Sequence, residues 1–296
     1  MAITAAQVKE LREMTGAGMM DCKKALVECE GDMKKAVDWL REKGISKAAK
    51  KEGRTAAEGL SRVAVKGNRA AVVEINSETD FVAKNDKFLA LMDEAVNLIL
   101  DSNAKTVDEA LALPAAEGTL NDAVISATAI IGEKIKLRRF EVVEKNDDEI
   151  FGTYMHNGGQ ISALTVVKGT ADAQVAKDMA MQVASMTPTY VSRAEMPADI
   201  IDHERSVLAA EVDNDEALAS KPEKVKKGIV EGRLSKSLQD MCLVDQIFFK
   251  DQEKKCSQYL KECGAEVVKF VRFKVGEGIE KKADDFAAEV AAMAGK

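Results

Sequence analysis

Residues 71–86 read AVVEINSETDFVAKND and hold the junction from which the fold can be worked out. The run AVVEIN has the Val and Ile content of a buried strand, and the polar residues after it favour a turn. Ser77 and Asp80 have the spacing of a capping box, which would hold that turn. We therefore predict a strand, a polar corner and a helix, with the large ring of Phe81 in the corner.

The position of Phe81 raises the question of where its ring points. Phe88 follows seven residues later, so an unbroken helix would place both rings on one apolar stripe. On this spacing alone, Phe81 is expected to pack in the core.

The segments around the junction predict an α+β unit that occurs twice. LSRVAVK (60–66) and RAAVVEIN (69–76) form a hairpin candidate, and an amphipathic helix follows at 86–101. A second hairpin at 148–169, followed by a helix at 172–186, repeats this order. The fold class is therefore α+β, with two related core subdomains. The other predicted elements are helices at 106–113, 117–131 and 252–263, strands at 134–145 and 266–276, and a last helix at 283–295.

The first 53 residues predict a compact unit of three short helices. Thr4 is a candidate N-cap of the first helix, and the second begins at Met19 after the helix-breaking segment TGAG. A third helix starts at Asp32 and is expected to stop at Gly44. The Lys- and Ala-rich segment 46–59 has no apolar stripe and is predicted to be a linker that is partly helical.

Residues 197–240 predict an inserted helical hairpin whose two arms carry opposite charge. The arm 199–216 has seven acidic residues and one arginine, whereas the arm 221–239 has six basic and two acidic residues. Antiparallel arms of opposite sign can form ion pairs along their flanks. The alternative is two solvated faces, since surface ion pairs add little stability.

The composition is that of a soluble globular protein, with 46% hydrophobic residues and 31% charged residues. A net charge of −7 argues against direct binding of nucleic acid by the chain as a whole. We expect no signal peptide, and no apolar run approaches the roughly 20 residues that span a bilayer. The five cysteines form no CxxC motif, which suggests reduced thiols and a cytoplasmic location.

Residues suited to covalent catalysis are scarce in this chain. His156 and His203 are its two histidines, and no catalytic triad can be argued from their positions. The segment GEG at 276–278 is only a weak indication of a nucleotide site. His156 lies beside a hairpin turn, where it is either a polar turn residue or a contact residue. We therefore predict a binding protein that is not an enzyme and needs no cofactor or metal.

Two long motifs identify a family. TGAGMMDCKKAL (15–26) and TDFVAKND (79–86) resemble the bacterial elongation factor Ts family, the guanine-nucleotide exchange factors of elongation factor Tu. Shorter matches lie at 152–156, 230–233, 272–281 and 285–293. The resemblance implies a ubiquitin-associated-like domain (1–53), core subdomains (54–145 and 146–280), an inserted helical-hairpin dimerisation module (197–240) and a C-terminal helical module (281–296).

The resemblance also implies which residues contact elongation factor Tu. Thr79, Asp80, Phe81 and Val82 would form a wedge that disturbs the magnesium and nucleotide site of the partner. Phe81 would then be exposed, with a fresh helix N-cap at Asn85-Asp86. Asp80 would either cap the turn or act near the magnesium. Further contacts are implied for Lys9, Arg12, Met19, Met20 and the turn at His156.

The sequence departs from the family pattern at three positions. Gln160 replaces a basic residue that often follows the His156 turn, and Gln182 stands where a histidine often begins a helical motif. Ile247 replaces the proline of a common Gln-Pro-Phe segment. These departures concern details of contact and the shape of the hairpin module, and leave the implied activity unchanged.

Two other classes of function remain as alternatives. The chain could be an adaptor that binds proteins through its ubiquitin-associated-like unit without driving nucleotide exchange. A weaker alternative is a nucleic-acid module built on the basic residues Lys47, Lys50, Lys51 and Arg54. Release of GDP from elongation factor Tu would distinguish the exchange factor from both.

Overall fold

The computed structural model describes residues 3–218 and 220–280. The predicted C-terminal helix (283–295) and module (281–296) lie outside the described residues, as does Ala219. The helices in the described part are α1 (Ala5–Thr15), α2 (Met19–Glu28), α3 (Met33–Ala49), α4 (Asp86–Leu100), α5 (Val107–Leu111), α6 (Leu120–Ile131), α7 (Ala173–Met186), α8 (Ala198–Asn214), α9 (Glu223–Met241) and α10 (Cys256–Glu262). The strands are β1 (Glu58–Lys66), β2 (Arg69–Ser77), β3 (Lys136–Glu144), β4 (Glu149–His156), β5 (Ile161–Lys168), β6 (Ile247–Phe248), β7 (Asp251–Lys255) and β8 (Glu266–Lys274).

The N-terminal unit has the three predicted helices, but the third is longer than expected. Thr4 caps α1 in a capping box with Gln7, as its position predicts. Helix α3 continues through Gly44 to Ala49, so the expected stop at Gly44 is wrong. A Cβ at Gly44 would lie 3.4 Å from the Cβ of Ala129, which shows that this glycine allows α3 to pack closely on α6. The linker is therefore shorter than predicted.

Two three-stranded antiparallel sheets form the centre of the molecule, in the orders β1-β2-β3 and β4-β5-β8. In β2, Ala71, Val73 and Ile75 pack in the core beneath α4 and α6. Its alternate residues Ala70 and Val72 pack against the second sheet. Burial on both faces explains why this segment is apolar almost without interruption. Each sheet thus contains a hairpin followed by a helix, the order that the sequence repeats.

The segment 197–240 forms an antiparallel helical pair, α8 and α9. Apolar residues from both helices pack between them, among them Val212 and Leu234. Ion pairs then join acidic residues of the first arm to basic residues of the second, with Lys226 at 3.3 Å from Asp213 and Arg233 at 3.9 Å from Glu211. The prediction that oppositely charged arms pair is confirmed.

The predicted helix at 252–263 begins later than expected. Residues Asp251–Lys255 form β7, which pairs with β6, and α10 starts only at Cys256. The segment DQEKK has no apolar stripe to bury as a helix, so its backbone pairs with β6 instead. This small hairpin is held down by Phe248, whose ring stacks on Tyr259 with the centroids 4.2 Å apart.

A buried carboxylate ties the end of β8 to the first sheet. Glu74 on β2 accepts from Arg138 at 2.8 Å, Arg139 at 2.6 Å and the N–H of Gly276 at 2.9 Å. Gly276 has φ +73°, and a Cβ there would lie 2.2 Å from the carbonyl oxygen of Ala57. Gly276 of the GEG segment is therefore needed where the backbone passes close to Ala57. This close approach accounts for the glycine without a bound nucleotide.

No helix within residues 3–218 and 220–280 is long and apolar enough to cross a membrane.

Candidate protein-binding site at the Thr79–Val82 corner

The corner between β2 and α4 presents an isolated aromatic ring to solvent. Phe81 is 81% exposed, although it directly precedes a short 3₁₀ turn at Val82–Lys84. Val82 and Ala83 are buried in the first core, the apolar cluster between β2 and the helices α4 and α6. Val82, which the resemblance places among the contact residues, thus anchors the corner while Phe81 projects from it.

A break in the helix separates Phe81 from the apolar stripe of α4. Asn85 has extended backbone, with ψ 131°, and its side chain accepts from the N–H of Lys87 at 2.9 Å. Helix α4 therefore starts at Asp86, as the fresh N-cap predicts. Phe88 is fully buried, so the two rings that share a helical spacing point to opposite environments.

Two glutamates tie the corner to the loop between α6 and β3, one from each side. Glu133, in the loop between α6 and β3, accepts from the N–H of Thr79 at 2.9 Å and from its hydroxyl at 2.7 Å. Glu78 accepts from the N–H of Lys134 at 2.6 Å and also pairs with Arg54. The corner is therefore clamped to the loop that precedes β3.

The capping box predicted for Ser77 and Asp80 is not formed. The Ser77 hydroxyl donates to the carbonyl oxygen of Thr79 at 2.9 Å instead. Asp80 is exposed and makes no side-chain hydrogen bond to the described part of the chain. Because Glu133 already satisfies Thr79, the turn needs no cap from Asp80. The carboxylate of Asp80 thus stands next to Phe81 in solvent.

The His156 turn belongs to the second sheet but packs against the first. His156 is exposed at the end of β4, and its Nδ1 lies 3.2 Å from the hydroxyl of Tyr154. The turn contacts β1, which also contacts the 3₁₀ turn after Phe81. Both predicted contact elements therefore lie along the same strand.

The predicted contact residues of the N-terminal unit are exposed as well. Lys9 and Arg12 lie on α1, and Met19 and Met20 begin α2 with 55% and 76% of their surfaces exposed. The loop between these helices approaches α4, because a Cβ at Gly16 would lie 3.4 Å from Lys87 Nζ. The structure thus brings this loop beside the helix that follows Phe81.

Residues 3–218 and 220–280 contain no group of three or more His, Cys, Asp or Glu residues that could hold a metal ion. Burial raises the pKa of Cys22 and Cys242, and it raises the pKa of Cys256 to about 12. These buried thiols are protonated at neutral pH and are poor nucleophiles.

Comparison with known proteins identifies the family. A family model described as Elongation factor TS matches residues 78–277. Elongation factor Ts of Lactiplantibacillus plantarum is 56% identical over 97% of each chain, and that of Acholeplasma laidlawii is 52% identical over 100% of each. The chain belongs to the elongation factor Ts family.

Membership of the elongation factor Ts family makes this chain a translation elongation factor. The matched segment includes the Phe81 corner, the His156 turn and the helical pair α8–α9. The contact residues expected on α1 and α2 precede that segment, but they lie within the alignment to the Acholeplasma laidlawii relative.

The sequence of this elongation factor Ts family member did not predict the residues that support the Phe81 corner and the His156 turn. Glu133 and Thr79 are 54 positions apart, and Ser61 and Gly159, which bond behind the His156 turn, are 98 apart. No local spacing marks such pairs. The only signal at Glu133 is that a carboxylate directly follows Gly132, the C-cap of α6.

Proposed function

We propose that this chain is the guanine-nucleotide exchange factor of elongation factor Tu. It binds the GDP form of that GTPase and promotes release of GDP and its exchange for GTP. The observation that carries the proposal is Phe81, an aromatic ring 81% exposed on a corner that is anchored by the buried side chain of Val82 and by the hydrogen bonds of Thr79 to Glu133. Membership of the elongation factor Ts family supports it.

The mechanism follows from the way a GTPase holds GDP. A phosphate-cradling loop and a magnesium ion supply most of the grip, so displacing either one weakens it. An exchange factor must bind the nucleotide-free state more tightly than the GDP state. Coupling is reciprocal, so incoming GTP in turn weakens the hold of the factor.

The corner residues have different tasks in this mechanism. Phe81 enters a pocket between partner helices and shifts them, while Thr79 and Val82 keep the ring in place. The exposed carboxylate of Asp80 lies beside the ring, where it can compete for ligands of the partner's magnesium. Since Asp80 caps nothing in the described structure, we favour this role over the structural one.

Other surfaces complete the proposed complex. The exposed residues Lys9, Arg12, Met19 and Met20 contact the nucleotide domain of the partner, and the His156 turn contacts it from the second sheet. The helical pair within 197–240 serves homodimerisation. The factor acts in the cytoplasm by binding alone, without a cofactor and without chemistry of its own.

Release of labelled GDP from elongation factor Tu, measured with and without this protein, tests the proposal. We expect a clear acceleration that saturates with the concentration of the factor. Binding without acceleration would contradict exchange and support the adaptor function. If the protein neither binds elongation factor Tu nor accelerates GDP release, both the exchange function and an adaptor function on this GTPase are excluded.

Replacement of Glu133 by alanine should weaken exchange by loosening the corner. Thr79 would lose two hydrogen bonds, so we expect stimulated GDP release to fall about fivefold, with a stability loss of about 1 kcal/mol. GDP release and thermal unfolding measure the two effects. Glu94→Ala is a matched control. Glu94 lies on α4 and its carboxylate likewise accepts from a backbone N–H, that of Ala116 at 2.9 Å. Equal exchange rates in the two variants would contradict a clamping role for Glu133.

A further inference from the structure

The two proposed contact elements belong to different sheets, so something must fix the distance between them. Phe81 follows β2 of the first sheet, and His156 ends β4 of the second. A small group of polar side chains joins the sheets where both elements meet β1. We call Ser61, Gln160 and Ser162 the polar bridge.

The hydroxyl of Ser61 is the centre of the polar bridge. It lies 2.9 Å from the carbonyl oxygen of Gly159 and 2.8 Å from the hydroxyl of Ser162. A hydroxyl donates one hydrogen bond, so Ser61 donates to Gly159 while Ser162 donates to Ser61. Both serines are buried. Their bonds are therefore shielded from water and have a defined direction.

Gln160 adds a second connection on the same strand. Its Nε2 donates to the carbonyl oxygen of Gly59 at 3.0 Å. Gly159, one residue earlier, has φ +107°, and a Cβ there would lie 2.7 Å from the carbonyl oxygen of Ser61. The backbone of the turn thus approaches β1 as closely as a glycine permits.

The same stretch of β1 also supports the Phe81 corner. Leu60, between the two bridged residues Gly59 and Ser61, is buried in the core cluster that contains Val82 and Ala83. The 3₁₀ turn formed by these residues contacts β1. The stretch 59–61 therefore connects the mount of Phe81 on one side with the His156 turn on the other.

We propose that Ser61, Gln160 and Ser162 are positioning residues for nucleotide exchange. They hold the His156 turn at a fixed place relative to Phe81, so that both engage the GTPase at once. This inference rests on the proposed exchange function. A rigid pair of contacts pays less entropy on binding than two independent ones. The polar bridge also keeps the two sheets fixed behind Phe81. When the ring inserts, the conformational change therefore occurs in the GTPase and not between the two sheets.

The polar nature of the bridge fits a positioning role. Apolar residues of the same shape would hold the sheets together about as well. Hydrogen bonds add direction, so a single relative position of the turn is favoured over several similar ones.

The test measures GDP release from elongation factor Tu with variants of Gln160. Gln160→Met keeps the length of the side chain but removes its donor, and should lower the exchange rate about fivefold to tenfold. Gln160→Arg restores N–H donors and should recover most of the rate. Asn97→Leu is the matched control, because Asn97 donates to the carbonyl oxygen of Asp93 within α4 at 2.8 Å. This control should leave exchange unchanged.

A mutant cycle with His156→Ala separates positioning from general stability. Once His156 is removed, Gln160→Met should lower exchange by less than about twofold, because the bridge no longer holds a contact in place. Ser61→Ala should behave in the same way, with rates corrected for the folded fraction. Equal losses with and without His156, or no rescue by Gln160→Arg, would overturn the inference. If the wild-type protein does not accelerate GDP release from elongation factor Tu, the proposed exchange function itself is contradicted, whatever the variants do.

Discussion

Phe81→Ala should lower stimulated GDP release about 30-fold while leaving the free energy of unfolding within about 0.5 kcal/mol of the wild type. The ring is 81% exposed, so its removal leaves no cavity in the free protein. In the complex it would be a central aromatic anchor, and truncation of such a residue costs about 2 kcal/mol or more. GDP release kinetics and chemical denaturation of the same sample measure both effects.

Phe88→Ala is the matched control for this prediction. The same ring is removed seven residues later, but Phe88 is fully buried in the first core. This variant should lose about 3–5 kcal/mol of stability. A similar stability loss for Phe81→Ala would contradict the exposed position, and an unchanged exchange rate would contradict the role of Phe81 as a wedge.

The contrast between these two rings shows what a spacing pattern can predict. The apolar spacing of α4 places Phe88, Met92, Val96 and Ile99 on one stripe, and all four are buried. The same spacing would also have buried Phe81. A single residue decides otherwise, because the extended backbone and side-chain cap of Asn85 interrupt the helix. Periodicity describes a continuous helix well, but it does not show where the helix begins.

Elements decided by distant packing were harder to predict. Gly44 has the usual identity of a helix stop, yet α3 continues because the glycine fits closely against Ala129 of α6. Likewise, the polar segment at Asp251–Lys255 becomes a strand only because β6 is there to pair with it. In both cases the deciding partner lies on another element, which the local sequence does not reveal.

The candidate site could likewise be predicted only in part from the sequence. Its projecting residue could be found from a motif in the chain, together with the family resemblance. Its supports could not, because the carboxylate of Glu133 and the hydroxyl of Ser61 act on residues far away in sequence. Only the folded backbone brings these groups together.

Glu74→Gln should destabilise the protein by about 3 kcal/mol at neutral pH. Glu74 is fully buried and faces the guanidinium groups of Arg138 and Arg139. An amide cannot neutralise these two charges, and breaking a buried ion pair typically costs about 3–5 kcal/mol. Denaturant unfolding measures the loss. Glu141→Gln is the control, since Glu141 forms an exposed ion pair with Lys269 and its replacement should cost less than about 1 kcal/mol.

The effect of Glu74 should also depend on pH. Burial raises the pKa of this carboxyl, but the N–H of Gly276 and the guanidinium groups of Arg138 and Arg139 outweigh it and hold the pKa below its ordinary value. The folded pKa is thus lower than the unfolded pKa of about 4.3. The ionised carboxylate therefore contributes its full stability above the unfolded pKa, and this contribution is lost as the pH falls through the folded pKa. The stability difference between the wild type and Glu74→Gln should narrow in acid, whereas a constant difference from about pH 7 to about pH 3 would show that Glu74 does not titrate in this way.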